Sequence, residues 1–332
     1  MPNNLIERVL KTVRNYSMLE AGDSVLAAVS GGPDSVFLLL ALNSLKRKFR
    51  LADIIVCNID HGLRGDESKE DSIFVKELAR KLGLKFFHKT INLSSAGSKK
   101  LSTEERAREA RYKFFKETAA SAGVRIIATG HTLDDQAETV LMRIIKGSSL
   151  KGVVGIAPVR EEGDLRFIRP MIELDKGEIV RYLDANNTPY RIDRTNLEPI
   201  YFRNIVRRQI IPFLEKYNPR FKRALFSLAE HLREDFEFIE NEKKRVGQDV
   251  NPSGSRRAEV ALKDIVVQPR AIQKEILRDL LESAGGEVKK LSFRHWKEME
   301  RLLRSKGKGI SVDLPGGIRV TKGEKLLTFR II

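Results

Sequence analysis

The chain has 332 residues, with 61 Lys and Arg against 45 Asp and Glu, and a formal charge of +16. At 41% hydrophobic and 32% charged it can bury real cores, which excludes collagen-like and wholly disordered classes. No apolar run approaches the ~20 residues of a membrane helix, the first residues do not read as a secretory signal, and a single cysteine, Cys57, excludes a disulfide framework or a multi-cysteine zinc site.

Taken in chain order, Ser24-Val25-Leu26-Ala27-Ala28-Val29 is a short apolar run that suits a strand buried on both faces. A turn, Ser30-Gly31-Gly32-Pro33-Asp34-Ser35, follows at once, and then a helix over about 35–46. A second buried run covers 54–59, a helix 67–82, a third strand 86–91 and a helix 103–122. A fourth strand over 125–129 precedes a helix over 134–145. Strands alternating with helices of ten to twenty residues predict a doubly wound parallel sheet, Rossmann-like, with ligands beyond the carboxyl ends of its strands.

After about Gly147 glycines and prolines appear, followed by a short helix over 176–186. Asn218-Pro219 reads as a cap and first turn. Behind it Phe221, Leu225, Leu228, Leu232, Phe236 and Ile239 recur at helical spacing, predicting one long amphipathic helix to about Arg245. The stretch 247–257 reads as a linker, and a small α+β domain closes the chain with two helices and short strands joined by turns. The expected division is therefore 1–215 as catalytic domain, 216–246 as helical connector and 247–332 as C-terminal domain.

Positive charge is concentrated in two blocks. Residues 201–223 hold seven basic residues and one acid, and 289–332 hold twelve basic residues and four acids. A solvated surface accounts for any one lysine, but two separated blocks favour a nucleic acid, with an acidic membrane less suited.

The turn after the first strand carries the chemistry. Glycines at 31 and 32 let backbone approach a ligand, the helix start favours an anion, and Ser30 and Ser35 add hydroxyls. The loop lacks the Gly-Lys-Ser/Thr ending of a Walker A motif. Asp34 would repel a phosphate unless a cation lay between them, so it reads as a Mg²⁺ partner.

Ser30-Gly31-Gly32-Pro33-Asp34-Ser35 resembles the loop of the PP-loop family, the N-type ATP pyrophosphatases. Four further stretches are similar to one branch, the tRNA(Ile)-lysidine synthetases: Asp60-His61-Gly62-Leu63-Arg64, Glu105 to Tyr112, Gly130 to Thr139, and Phe202 to Arg207. The resemblance covers 22–245 well and the tail less specifically. It implies ATP, Mg²⁺, free L-lysine and an isoleucine tRNA with a CAU anticodon, in the cytoplasm, with a homodimer left open. Cytosine O2 would attack the α-phosphorus, pyrophosphate would leave, and the lysine ε-amine would then attack C2 with loss of AMP.

On that resemblance the loop residues 30–35 bind nucleotide phosphates, and Asp34 and Asp135 hold Mg²⁺. Asp134 stands as an outer partner or as an ordinary acidic helix start. Glu138, three residues from Asp135 on one helix face, would bind or deprotonate the lysine amine. Arg108 and Arg111 would contact phosphate or lysine, His61 the adenine, and Arg203 and Arg207 the tRNA, while His131 would orient its neighbours. A tRNA thiolase would need cysteines beyond Cys57. A non-catalytic RNA-binding protein would leave Asp34, Asp135 and Glu138 without a purpose.

Overall fold

A computed structural model describes residues 3–60, 66–91, 103–192, 202–246 and 257–332. His61 and most of its motif, and most of the expected linker, lie outside these residues. The chain divides into two compact units, 1–230 and 231–332.

In the first unit α1 (Asn3–Asn15) leads into β1 (Ser24–Ala28), α2 (Pro33–Phe49), β2 (Asp53–Asp60), α3 (Asp66–Lys81), β3 (Lys85–Thr90), α4 (Thr103–Ser121), β4 (Ile126–Ala128) and α5 (Leu133–Ile145). A single turn, α6 (Leu150–Val153), precedes a hairpin of β5 (Val159–Glu162) and β6 (Leu165–Ile168), and α7 (Lys176–Ala185) follows. The sheet order is β3-β2-β1-β4-β6-β5, parallel except for the edge strand β5. The expected α/β fold is present, extended by a hairpin that the sequence pattern did not reveal.

Period-two alternation explains why the apolar runs are strands. Val25, Ala27, Ile54 and Val56 join one core with α1, α2, α3 and α7, whereas Leu26, Ile55, Cys57, Ile127 and Phe167 join another with Phe114 and Phe115 of α4. Each central strand is thus buried on both faces. The chain runs outward from β1 to β2 on one side and reaches β4 on the other, so strand order reverses between β1 and β4. A crevice at such a reversal is where doubly wound sheets take ligands.

Beyond α7 lie α8 (Phe202–Ile205), a π-helical turn (Val206–Ile210) and α9 (Ile211–Glu215). Pro212 cannot donate the hydrogen bond an α-helix would need there, and Ile211 N–H instead reaches back five residues to Val206. Val206 and Ile211 bury against Ala137, Val140 and Leu141 of α5, together with Leu225 and Ala229 of α10 (Phe221–Val246). That apolar seam lays the basic segment along the acidic start of α5. The unit division falls inside α10.

The second unit has β7 (Arg257–Ala261), α11 (Leu262–Val266), α12 (Arg270–Ser283), α13 (Phe293–Arg304) and β8 (Ile310–Leu314), β9 (Ile318–Lys322) and β10 (Leu326–Ile331). Its sheet is antiparallel, ordered β7-β10-β9-β8, and buries Phe329, Ile318 and Val320 against Leu280, Met299 and Trp296. β7 begins at the last residue of the stretch expected to be linker.

Candidate active site

Two loops meet at the crevice. The loop after β1 turns through Gly31, whose φ of +93° strains any residue with a Cβ. Gly32 has an ordinary backbone, so only one of the two glycines is required by conformation. Ser35 Oγ accepts from the amides of Ser30 and Gly31, both at 3.1 Å, and donates to Gly32 O at 2.9 Å. Ser35 therefore folds the loop from within. The amides of Asp34 and Ser35, in the first turn of α2, have no carbonyl in their own helix to bond and remain the donors for an anion.

The loop after β4 comes against the first through Gly130. A Cβ there would lie 3.4 Å from the carbonyl carbon and oxygen of Asp34 and from Ser35 N. This contact carries α5, with Asp134, Asp135 and Glu138, to the start of α2.

Asp34 Oδ2 pairs with Lys176 Nζ at 3.0 Å, while Asp34 Oδ1 is buried without a hydrogen-bond partner. Burial raises the Asp34 carboxyl above its ordinary range, and Asp135 and Asp134 push the same way, against Lys176. Asp135 behaves oppositely. Burial acts to raise it, but His131, Arg203, the Thr132 amide and Arg207 together hold it below the usual range. Its Oδ2 accepts from Thr132 N and Oγ1 at 3.0 and 3.1 Å, closing the first turn of α5, and its Oδ1 faces Arg203 at 3.2 Å.

Glu138 is 1% exposed and saturated. Arg203 Nε reaches Oε2 at 2.7 Å, Arg207 Nε reaches Oε1 at 2.5 Å, and Arg207 Nη2 adds a bond to Oε2 at 3.0 Å. The two arginines expected to meet RNA are thus turned onto the acids of α5. Contact with an RNA phosphate would require them to leave Glu138. Asp134 is tied outward: Oδ1 accepts from Lys222 at 2.8 Å and Oδ2 from the Lys176 amide at 2.7 Å. Its place is to fix α7 and α10 against α5.

His131 Nδ1 meets Thr129 Oγ1 at 2.9 Å, and burial pushes the imidazole down to about 4, against the pull of Asp135. It is neutral at pH 7. Beyond it, on the β6 side, lies a cationic rim that the sequence reading missed. Tyr112 is flanked by Arg108 at 5.0 Å and Arg160 at 5.4 Å, and its hydroxyl bonds the 3%-exposed Arg169. Arg169 donates to Ala157 O at 2.7 Å, and burial pulls it down to about 10, still protonated. The Nε atoms of Arg160 and Arg169 are buried without partners, which suits an anionic group between α4 and β6. Arg111 is exposed on α4. The site therefore gathers Ser30, Asp34, Ser35, Arg108, Asp135, Glu138, Arg203 and Arg207. Lys176, Tyr112, Arg160 and Arg169 are its unexpected members.

The residues fit Mg²⁺ by the chemistry of the donors. Magnesium takes oxygen ligands, one or two carboxylates plus phosphates, and Asp34 offers a buried carboxylate oxygen with no other partner beside a second acid.

A family model for the PP-loop domain matches residues 2–214. The chain is 35% identical over 301 residues to a tRNA(Ile)-lysidine synthase of Clostridioides difficile, covering 90% of this chain and 64% of that protein. With proteins of the same name from Caldanaerobacter subterraneus subsp. tengcongensis and Geobacter sulfurreducens, identities are 35% and 33%, each covering 98% of this chain and 69% of the relative. The chain thus spans about two thirds of the length of these relatives. Among solved structures, the U34-tRNA thiolase NcsA from Methanococcus maripaludis with its [4Fe-4S] cluster aligns with a TM-score of 0.60 at 20% identity, covering 70% of this chain and 80% of that one. That likeness concerns the fold.

Proposed function

We propose, since the chain belongs to the tRNA(Ile)-lysidine synthase family and carries its PP-loop domain, that it ligates free lysine to C2 of the wobble cytidine of a CAU anticodon at the expense of ATP. Cytosine O2 attacks the α-phosphorus and pyrophosphate leaves. The lysine ε-amine then attacks C2 and AMP leaves. The observation that carries the reading is the lone buried oxygen of Asp34 at the mouth of an anion-binding loop, with Asp135 beside it.

Asp34 and Asp135 would hold Mg²⁺, which would neutralise charge on the departing pyrophosphate. The amides of Asp34 and Ser35 bind phosphate oxygens, and Ser35 Oγ keeps the loop in shape for them. Lys176, already on Asp34, adds a cation on the same side. Glu138 would meet the lysine amine once Arg203 or Arg207, which hold its carboxylate in this structure, moved off it. His131, being neutral, can accept or donate a hydrogen bond without adding charge. The rim of Arg108, Arg160 and Arg169 receives an anionic group of the incoming substrates. The basic C-terminal unit reads the tRNA outside the anticodon, and a tRNA substrate places the reaction in the cytoplasm.

The thiolase alternative is disfavoured by Cys57. An iron–sulfur cluster or sulfur relay takes several thiolates, and this one thiol is buried, with burial pushing it up to about 12. The test is incubation with radiolabelled lysine, ATP, Mg²⁺ and isoleucine tRNA bearing CAU. Label in the RNA, with one pyrophosphate released per lysine joined, is expected. ATP cleavage without label in the RNA would overturn the reading.

A further inference from the structure

Turning Arg203 and Arg207 inward leaves the basic segment in need of another route to RNA. A cavity of about 260 Å³ opens in the first unit between α7, the end of α9 and the start of α10. Its acids are all engaged. Asp175 pairs with Lys222 at 2.6 Å, Glu178 with Arg8 at 2.7 Å, and Glu215 faces Lys222 at 3.7 Å. Its arginines are not. Among the described residues Arg181, Arg220 and Arg223 have no acidic partner, and all three are exposed. The wall therefore presents three guanidinium groups without an acidic partner among the described residues, Arg181 on α7 and Arg220 and Arg223 at the amino end of α10, whose dipole adds to the latter two.

On the same segment, two residues either side of Glu215, α9 and the turn after it display two aromatic rings. Phe213 is 53% exposed and Tyr217 76% exposed, with centroids 5.4 Å apart and planes at 65°. Exposed rings are costly on a surface that meets only water, but they suit unpaired bases, which stack on aromatic side chains while arginines track the backbone. A duplex hides its base faces, and a membrane would ask for a longer apolar stripe. The pattern fits a single-stranded RNA segment.

We propose that this cavity and the neighbouring Phe213–Tyr217 pair form the seat for the single-stranded loop of the RNA substrate, its phosphodiesters held by Arg181, Arg220 and Arg223. The inference rests on the function proposed above and names the surface that delivers the wobble base. Lys222 joins the seat to the reacting groups, since it lines the cavity and also holds Asp134, the neighbour of Asp135.

The experiment measures tRNA binding to the full chain across a salt series, without turnover. The variant R181Q/R220Q/R223Q should bind about 10- to 100-fold more weakly near 0.1 M salt, and the slope of log K against log salt should fall by about 2. The variant F213A/Y217A should weaken binding of a single-stranded anticodon-loop oligonucleotide and leave the slope unchanged. A control, K11Q/R14Q/R47Q, removes equal charge from exposed positions on α1 and α2 and should change affinity less than threefold. Binding of a fluorescent ATP analogue should be the same in all of them. Wild-type affinity and slope in the arginine variant would overturn the seat. So would a change of oligomeric state by sedimentation with tRNA affinity intact, which would assign the surface to a second copy of the chain. If lysine labelling fails while the variants still lose tRNA, the function falls and the seat stands. If labelling succeeds and the variants bind normally, the reverse holds.

Discussion

The loops after β1 and β4 stand side by side at one rim of the sheet, yet they treat their carboxylates in opposite ways. In the β4 loop every acid is answered by the protein itself: Asp135 by Thr132 and Arg203, Asp134 by Lys222 and Lys176, Glu138 by two arginines. In the β1 loop Asp34 keeps one buried oxygen with no partner. An unanswered buried oxygen costs free energy on the order of 1–3 kcal/mol, which a cation bound there would recover. The difference separates acids that the protein itself has paired from one that keeps an oxygen open to a cation.

Asp34→Asn breaks this contrast most strongly. Removing the charge should lower AMP formation by about a thousandfold, while the nucleotide-free protein melts no lower than wild type, because burial, Asp135 and Asp134 all act against the Asp34 carboxylate. Steady-state AMP release and a thermal melt check both halves, and a large drop in melting temperature would make Asp34 a structural acid like Asp134. Lys222→Met should do the converse, leaving Asp134 and Asp175 without their shared cation. A loss of about 2 kcal/mol in urea unfolding is expected, and unchanged stability would show that the β4 side is not held by its ion pairs.

The smallest effect concerns His131. Its folded pKa of about 4 lies below the ordinary 6.5 of an imidazole, so the unfolded chain binds the proton first. Its contribution to stability is full above pH 6.5 and is lost as pH falls toward 4. His131→Asn should flatten that decline by about 1–2 kcal/mol between pH 7.5 and 5, read from denaturation curves of both proteins. Parallel curves would mean that the imidazole is solvated.

Much of this was legible in advance because it is local. The apolar runs at 24–29, 54–59 and 125–129 are strands of five, eight and three residues in the structure, since burial on both faces leaves little room for polar residues. The phosphate loop was readable from its own six residues. The β5–β6 hairpin was not: Val159–Glu162 and Leu165–Ile168 are four residues each and carry charges on an edge. Nor was the fate of Glu138, whose partners lie 65 and 69 residues away. The rim around Tyr112 needs α4, β5 and the end of β6 together, and no spacing within one segment encodes it.

Gly130 offers a last consequence. Because its missing side chain faces the backbone of Asp34 at 3.4 Å, a methyl group would just fit and any bulkier residue would wedge the two loops apart. The span between the loops that carry Asp34 and Asp135 is therefore calibrated by an atom that is not there.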